Sequence, residues 1–232
     1  MINIIPAVLE KNYEGMKNKV SLVRGIVPSV QVDFCDGSFV PSKTWPFNTG
    51  GFEDSNFLKI IEEQEGMPFW EDIDFEFDMM VYDAVSNFDI YSKLGPKRMI
   101  FHIGAVGDLK EFKDFLEGMD VYIRDVIEIG LAVKPSTPND QIFPLVNYVD
   151  FIQCMGNDKI GQQGVELDPK VYEKIKSIRE KYPDLPIAVD IGVNDETAPQ
   201  LIGSGATKLV AGSMIFRSDD IRETINYLEN LN

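Results

Sequence analysis

One histidine, two cysteines and a deficit of basic side chains set the first limits on this 232-residue chain. With His102 alone, a histidine-rich zinc site is excluded, as is a triad that uses more than one imidazole. Cys35 and Cys154 are too few for a disulfide framework, so a reducing, cytoplasmic setting is expected. Lys and Arg number 22 against 38 Asp and Glu, a formal net charge of −16. Such a surface repels phosphate backbones and anionic lipids, which argues against nucleic-acid and membrane partners. An anionic substrate would have to be held locally, by backbone N–H groups or single cations. No run approaches the roughly 20 apolar residues that cross a bilayer. The opening "MINIIPAVLEKN" lacks a basic region followed by a long apolar one, so no secretory leader is expected.

What is present is a regular alternation. Strand-like runs are "INIIPAV", "SVQVDF", "DIDFEFDMMV", "RMIFHIGA", "EIGLAV", "VDFIQCM", "PIAVDIG" and "KLVAGS". Helical patterns follow them, such as "SNFLKIIEEQ", "DLKEFKDFLEGM", "PKVYEKIKSIREKY" and "DDIRETINYLENL", with apolar positions three and four apart. "STPND" and "SDD" read as helix starts. Eight strand–helix units predict one (β/α)₈ barrel over residues 1–232, within which an aromatic-rich stretch lies at about 43–71. A doubly wound open sheet is the competing architecture, but the Gly-rich turn it needs after the first strand is missing.

Chemistry concentrates at the predicted strand ends. In "VQVDFC", Gln31, Asp33 and Cys35 share one face while Val32 and Phe34 point the other way. In "DIDFEFDMMV", Ile73, Phe75, Phe77, Met79 and Val81 form an apolar face; Asp74, Glu76, Asp78 and Met80 form the inward one. A half-exposed antiparallel strand would show the same alternation. Asp33, Asp78, His102 and Asp190 all stand where a barrel collects its functional groups.

The segment "VQVDFCDGSFVP" resembles the corresponding stretch of ribulose-phosphate 3-epimerases, and the likeness continues in order along the chain. "IIPAVLEKN" is similar to their first strand, "FEFDMMV" to their third and "GLAVKPSTP" to their fifth. "MGNDKIGQQG" falls on their glycine loop, "AVDIGVNDETA" on their seventh strand and "AGSMIF" on their eighth. The resemblance implies a ribulose-phosphate-binding type of barrel that inverts C3 of a phosphorylated ketopentose. It implies an acid–base pair at Asp33 and Asp190, with a divalent metal held by the residues at Gln31, Asp33, Asp78 and Asp190. It also implies substrate or phosphate contacts at Ala7, Gly161, Gln162, Gly192, Gly212 and Ser213, and a homo-oligomer.

This chain departs from that pattern at the metal. Both histidine ligands of the family are replaced, by Gln31 and Asp78. The first-strand serine is Ala7, the methionine after the first aspartate is Cys35, and the first glycine of "VDGGI" is Ile191. Oxygen donors suit Mg²⁺ or Mn²⁺ rather than Zn²⁺, so the expectation is a weak site for such an ion, or no metal and a raised carboxylate pKa. Gln31 would offer at most a carbonyl oxygen to an ion, or else hydrogen-bond to substrate or Asp33.

Each feature also has a plainer reading. Asp33 and Asp190 could be barrel-lining acids, Asp78 a loop acid and His102 a structural histidine. Lys134 invites a Schiff base, but a lysine is ordinary there in the family. Two functions stay open: an epimerase of a ribulose-5-phosphate-like ketose, or a catalytically silent relative that binds phosphosugars.

Overall fold

The computed structural model describes residues 2–231 and is a closed barrel of eight parallel strands, each paired with the next and the last with the first. The strands are β1 (Asn3–Val8), β2 (Ser29–Cys35), β3 (Asp74–Met80), β4 (Arg98–His102), β5 (Glu128–Val133), β6 (Phe151–Met155), β7 (Ile187–Asp190) and β8 (Lys208–Ala211). Parallel neighbours cannot be joined by a tight hairpin, so each connection crosses over outside the barrel. The crossovers carry α1 (Tyr13–Val23), α2 (Ser55–Ile61), α3 (Phe88–Ser92), α4 (Leu109–Glu117), α5 (Val121–Arg124) and α6 (Asn139–Ile142). The later ones carry α7 (Lys170–Lys181), α8 (Ala198–Ser204), α9 (Ser213–Phe216) and α10 (Ile221–Glu229). The parallel registers remove the antiparallel alternative for β3. No described helix is long and apolar enough to cross a membrane.

Short polar residues set where the helices begin. Asp54 accepts from the N–H groups of Asn56 and Phe57, Asp108 from those of Lys110 and Glu111, and Asp220 from that of Glu223. Each satisfies donors that the first helical turn leaves free. Of the two start signals read from sequence, "SDD" works in this way, whereas α6 after "STPND" has no side-chain cap.

Two apolar layers follow from strand alternation. The larger lies between sheet and helices and includes Phe34, Phe77, Met79 and Phe101. The smaller fills the barrel, with Cys35, Met80, Ile100, Ala132, Phe151 and Met155. Gly130 faces this interior, and a side chain there would run into the ring of Phe151. On β3 the apolar face lies outward as expected, and Glu76 and Asp78 are fully buried; Asp74, however, is exposed at the start of the strand.

The aromatic-rich connection after β2 thickens the outer layer. Trp45 is buried, with Tyr13, Phe34 and Phe57 rings 5.6, 6.0 and 5.9 Å away, and its indole N–H donates to Asp54 at 2.9 Å. Each such ring pair contributes about 0.5–1.5 kcal/mol beyond its buried area. Trp70 differs, standing largely exposed.

Candidate active site

The C-terminal ends of the strands open onto a cavity of about 410 Å³. Asp33 from β2 and Asp190 from β7 both reach it, so residues 157 apart in sequence line one space. Beneath them lies Gln31, fully buried on β2 two residues before Asp33 and therefore on the same inward face. Its Nε2 donates to Asp33 Oδ1 at 2.9 Å and lies 3.5 Å from Asp190 Oδ2. A single amide nitrogen thus ties the two carboxylates together.

Burial makes both acids reluctant to ionise. Burial first, then the charges of Asp190 and Asp78, push Asp33 well above the usual carboxylate range, against the pull of the Gln31 hydrogen bond. Asp190 is raised to about 7 by burial and by Asp78, although the Ile191 N–H and Gln31 pull it down. The dyad therefore retains a proton near neutral pH, and its titration belongs to the pair. Ile191, where the family has glycine, adopts a left-handed φ of 78°, an outlier for a β-branched residue, and donates its N–H to Asp190 Oδ1 at 2.8 Å.

Asp78 sits on β3 directly beside Asp33 in register, yet its oxygens are engaged elsewhere. His102 Nε2 lies 2.6 Å from Oδ1, and Gln153 Nε2 donates to Oδ2 at 3.3 Å. His102 is buried and packs against Phe39, at a ring separation of 5.5 Å. Cys35 is also buried, and burial pushes its thiol far up, which suits a space-filling role rather than a reactive one. Lys134 lies over the Phe39 ring at 5.5 Å.

The donors present do not fit a divalent metal. Among the described residues no group of three or more His, Cys, Asp or Glu is arranged to hold one. Gln31 presents N–H hydrogens to the carboxylates where a ligand would present its carbonyl oxygen, and Oε1 has no partner at all. Asp78 is turned to His102 and Gln153.

The rest of the cavity is built from backbone. Ala7, Gly161, Gln162, Gly192, Gly212 and Ser213 all line it, so the expected contact residues converge from β1 and the loops after β6, β7 and β8. Gly161 has φ 72° and its missing side chain leaves room for Val40, 2.7 Å from where a Cβ would lie. A Cβ on Gly212 would approach the Ala7 carbonyl at 3.2 Å. Sequence reasoning missed Arg217, the only basic side chain among the described residues that line the cavity, and Gln163 and Glu166 on the glycine loop. Lys159, on the same loop, is not among the lining residues.

The match to known proteins follows the same elements. Residues 3–216 match the model of the ribulose-phosphate 3 epimerase family, and the chain belongs to that family. It is 28% identical over 228 residues to the ribulose-phosphate 3-epimerase of Eremothecium gossypii, covering 98% of this chain and 91% of the relative. The Bacillus subtilis enzyme of the same name is 26% identical over 232 residues, covering 97% of each. Among solved structures, a KGPDC from Streptococcus mutans, crystallised as a complex, superposes with a TM-score of 0.71 at 14% identity, covering 99% of this chain and 98% of that one. A 3-hexulose-6-phosphate synthase gives 0.66 at 16%, covering 98% of each. At those identities the structures speak for the fold alone.

Proposed function

We propose that the chain is an epimerase of a phosphorylated ketose resembling ribulose 5-phosphate, with Asp33 and Asp190 as its acid–base pair. The observation that carries the reading is the pairing of these aspartates, from strands on different sides of the barrel, at one cavity. Family membership and the named activity of the curated relatives support it.

The chemistry asks for one carboxylate without a proton and one with it. The unprotonated aspartate removes the C3 proton from one face of the sugar, and the protonated one returns a proton to the other face. Each turnover exchanges their states, so the next substrate of opposite configuration finds the roles reversed. A pair in which burial raises both carboxyls, Asp190 to about 7, can share a proton in that way. The phosphate would lie against the backbone of Gly192, Gly212 and Ser213, where glycines permit close approach. Arg217 at the rim would supply the one local cation an acidic protein needs there.

The competing reading is a phosphosugar binder without turnover, and the poor fit to a metal favours it. Solvent deuterium exchange into a panel of pentulose and hexulose phosphates, followed by NMR, separates the two. Exchange at C3 is the expected result. Binding of the same compounds without exchange would establish the silent reading instead.

A further inference from the structure

We propose that this site moves its proton without a divalent cation, the Gln31 amide occupying the position between Asp33 and Asp190 and holding the two carboxylates in register. The proposal rests on the epimerase reading and adds a positioning residue to it.

The arrangement of hydrogen-bonding groups carries the inference. Gln31 is fully buried, and its amide nitrogen is the group both aspartates share. Its Oε1 has no partner, so contact with the carboxylates alone fixes which way the amide faces. Turned over, it would aim an oxygen at two carboxyl groups and keep at most one hydrogen bond, from whichever of them is protonated, while the other met oxygen against oxygen. The –NH₂ group has two hydrogens, one for each aspartate, and carries no charge to be displaced during turnover. Asp78, the remaining oxygen donor within reach, is already engaged by His102 and Gln153.

The proton balance closes without an added cation. One aspartate accepts the C3 proton as the C–H bond breaks. The other gives up the proton it held as the new C–H bond forms on the opposite face. One proton leaves the sugar and one arrives, and the pair ends with the single proton it began with. Gln31 does not line the cavity and so acts through the aspartates.

The test reads metal binding and kinetics separately. Protein purified without chelator is examined by elemental analysis, then titrated calorimetrically with Mn²⁺, Co²⁺ and Zn²⁺. We expect no ion bound more tightly than the ~10⁻⁴–10⁻³ M of weak carboxylate sites, and a kcat/KM unchanged by chelator. Gln31→Leu should lower kcat at least about tenfold with KM unchanged, the mark of a group acting only on the chemical step. Restoring nitrogen donors in Gln31→His/Asp78→His should create a site that takes up Co²⁺ with visible absorption, as imidazole ligands allow. A firmly held divalent ion in the natural protein that is lost in Asp33→Asn would overturn the proposal, as would a folded double variant with no gain in Co²⁺ affinity. If no ketose phosphate is turned over, the epimerase reading fails, while the titrations still decide whether an ion lies between the aspartates.

Discussion

The barrel buries a polar cluster at each end of its axis, and the two are balanced in opposite ways. At the N-terminal end, Glu76 accepts from Arg98 Nη1 at 2.5 Å and from Lys208 Nζ at 3.0 Å, while Arg98 Nε reaches Glu128 at 2.6 Å. Two acids meet two bases there. Even so, burial holds Lys208 below the ordinary lysine range, against the pull of Glu76. At the C-terminal end, Asp33, Asp78 and Asp190 share only amides and one imidazole. Opposite charges offset the burial of acids at the first end, whereas at the second burial and neighbouring acids raise Asp33 and Asp190. The first end is therefore a plug, and the second is where the proposed acid–base chemistry would take place.

The plug gives the largest expected effect. Glu76→Ala would leave Arg98 and Lys208 without their buried partner and should cost about 3–5 kcal/mol in urea unfolding. The same change at the mouth should act differently. Asp33→Asn or Asp190→Asn should each lower turnover by at least ~10²-fold, typical for loss of a general acid or base. Both should leave stability equal or higher, because a like-charge neighbour has been removed. A large loss of stability in these variants would erase the distinction between the ends.

A smaller effect is expected at the proposed phosphate corner. Gly212→Val places branched carbon against the Ala7 carbonyl and into the cavity, and should abolish sugar-phosphate binding in calorimetry without unfolding the barrel. Arg217→Ala should raise KM about tenfold, the ~1.4 kcal/mol expected of one exposed charge-assisted contact to an anion. Unchanged affinity in both would remove the phosphate from this corner.

The finest effect is on pH. Burial and Asp78 raise Asp190 to about 7 in the folded chain, against ~3.9 when unfolded, so the folded state binds more protons between those values. That contribution favours folding below the unfolded pKa and is lost as pH rises through the folded one. Urea midpoints of the natural protein should thus fall more from about pH 4 to pH 7 than those of Asp190→Asn. Identical slopes would show that the carboxyl is not held up.

How much of this was legible in the sequence depends on the range of the interaction. Strand alternation and the three-and-four spacing of helices are local, and they placed the barrel and the inward faces of β2 and β3. Asp33 and Asp190 could be placed at strand ends, whereas their pairing and the glycine corner came from the resemblance to the family rather than from spacing. Asp74 is paired with Ser29 in the sheet yet exposed at the start of the strand, since alternation tells which face a residue takes and not how deep it lies. The Asp78–His102 contact depends on how far one side chain reaches along a neighbouring strand, and Gln153 joins from β6, across the barrel from β3. Neither is encoded in spacing. Arg217 follows a four-residue helix with no pattern of its own. The aromatics after β2 gave no direction in sequence; the structure turns most of them onto the outer face of the sheet.

The proposed reaction requires two bases serving opposite faces of one carbon. In D₂O, each epimer of the responsive ketose phosphate would be offered separately to Asp33→Asn and Asp190→Asn, with C3 exchange and inversion followed by NMR. A variant that keeps one base should still exchange the C3 proton of one epimer while inversion is lost, and the two variants should prefer opposite epimers. Equal exchange of both epimers by either variant, or inversion at the natural rate, would contradict the assignment of Asp33 and Asp190 as the acid–base pair.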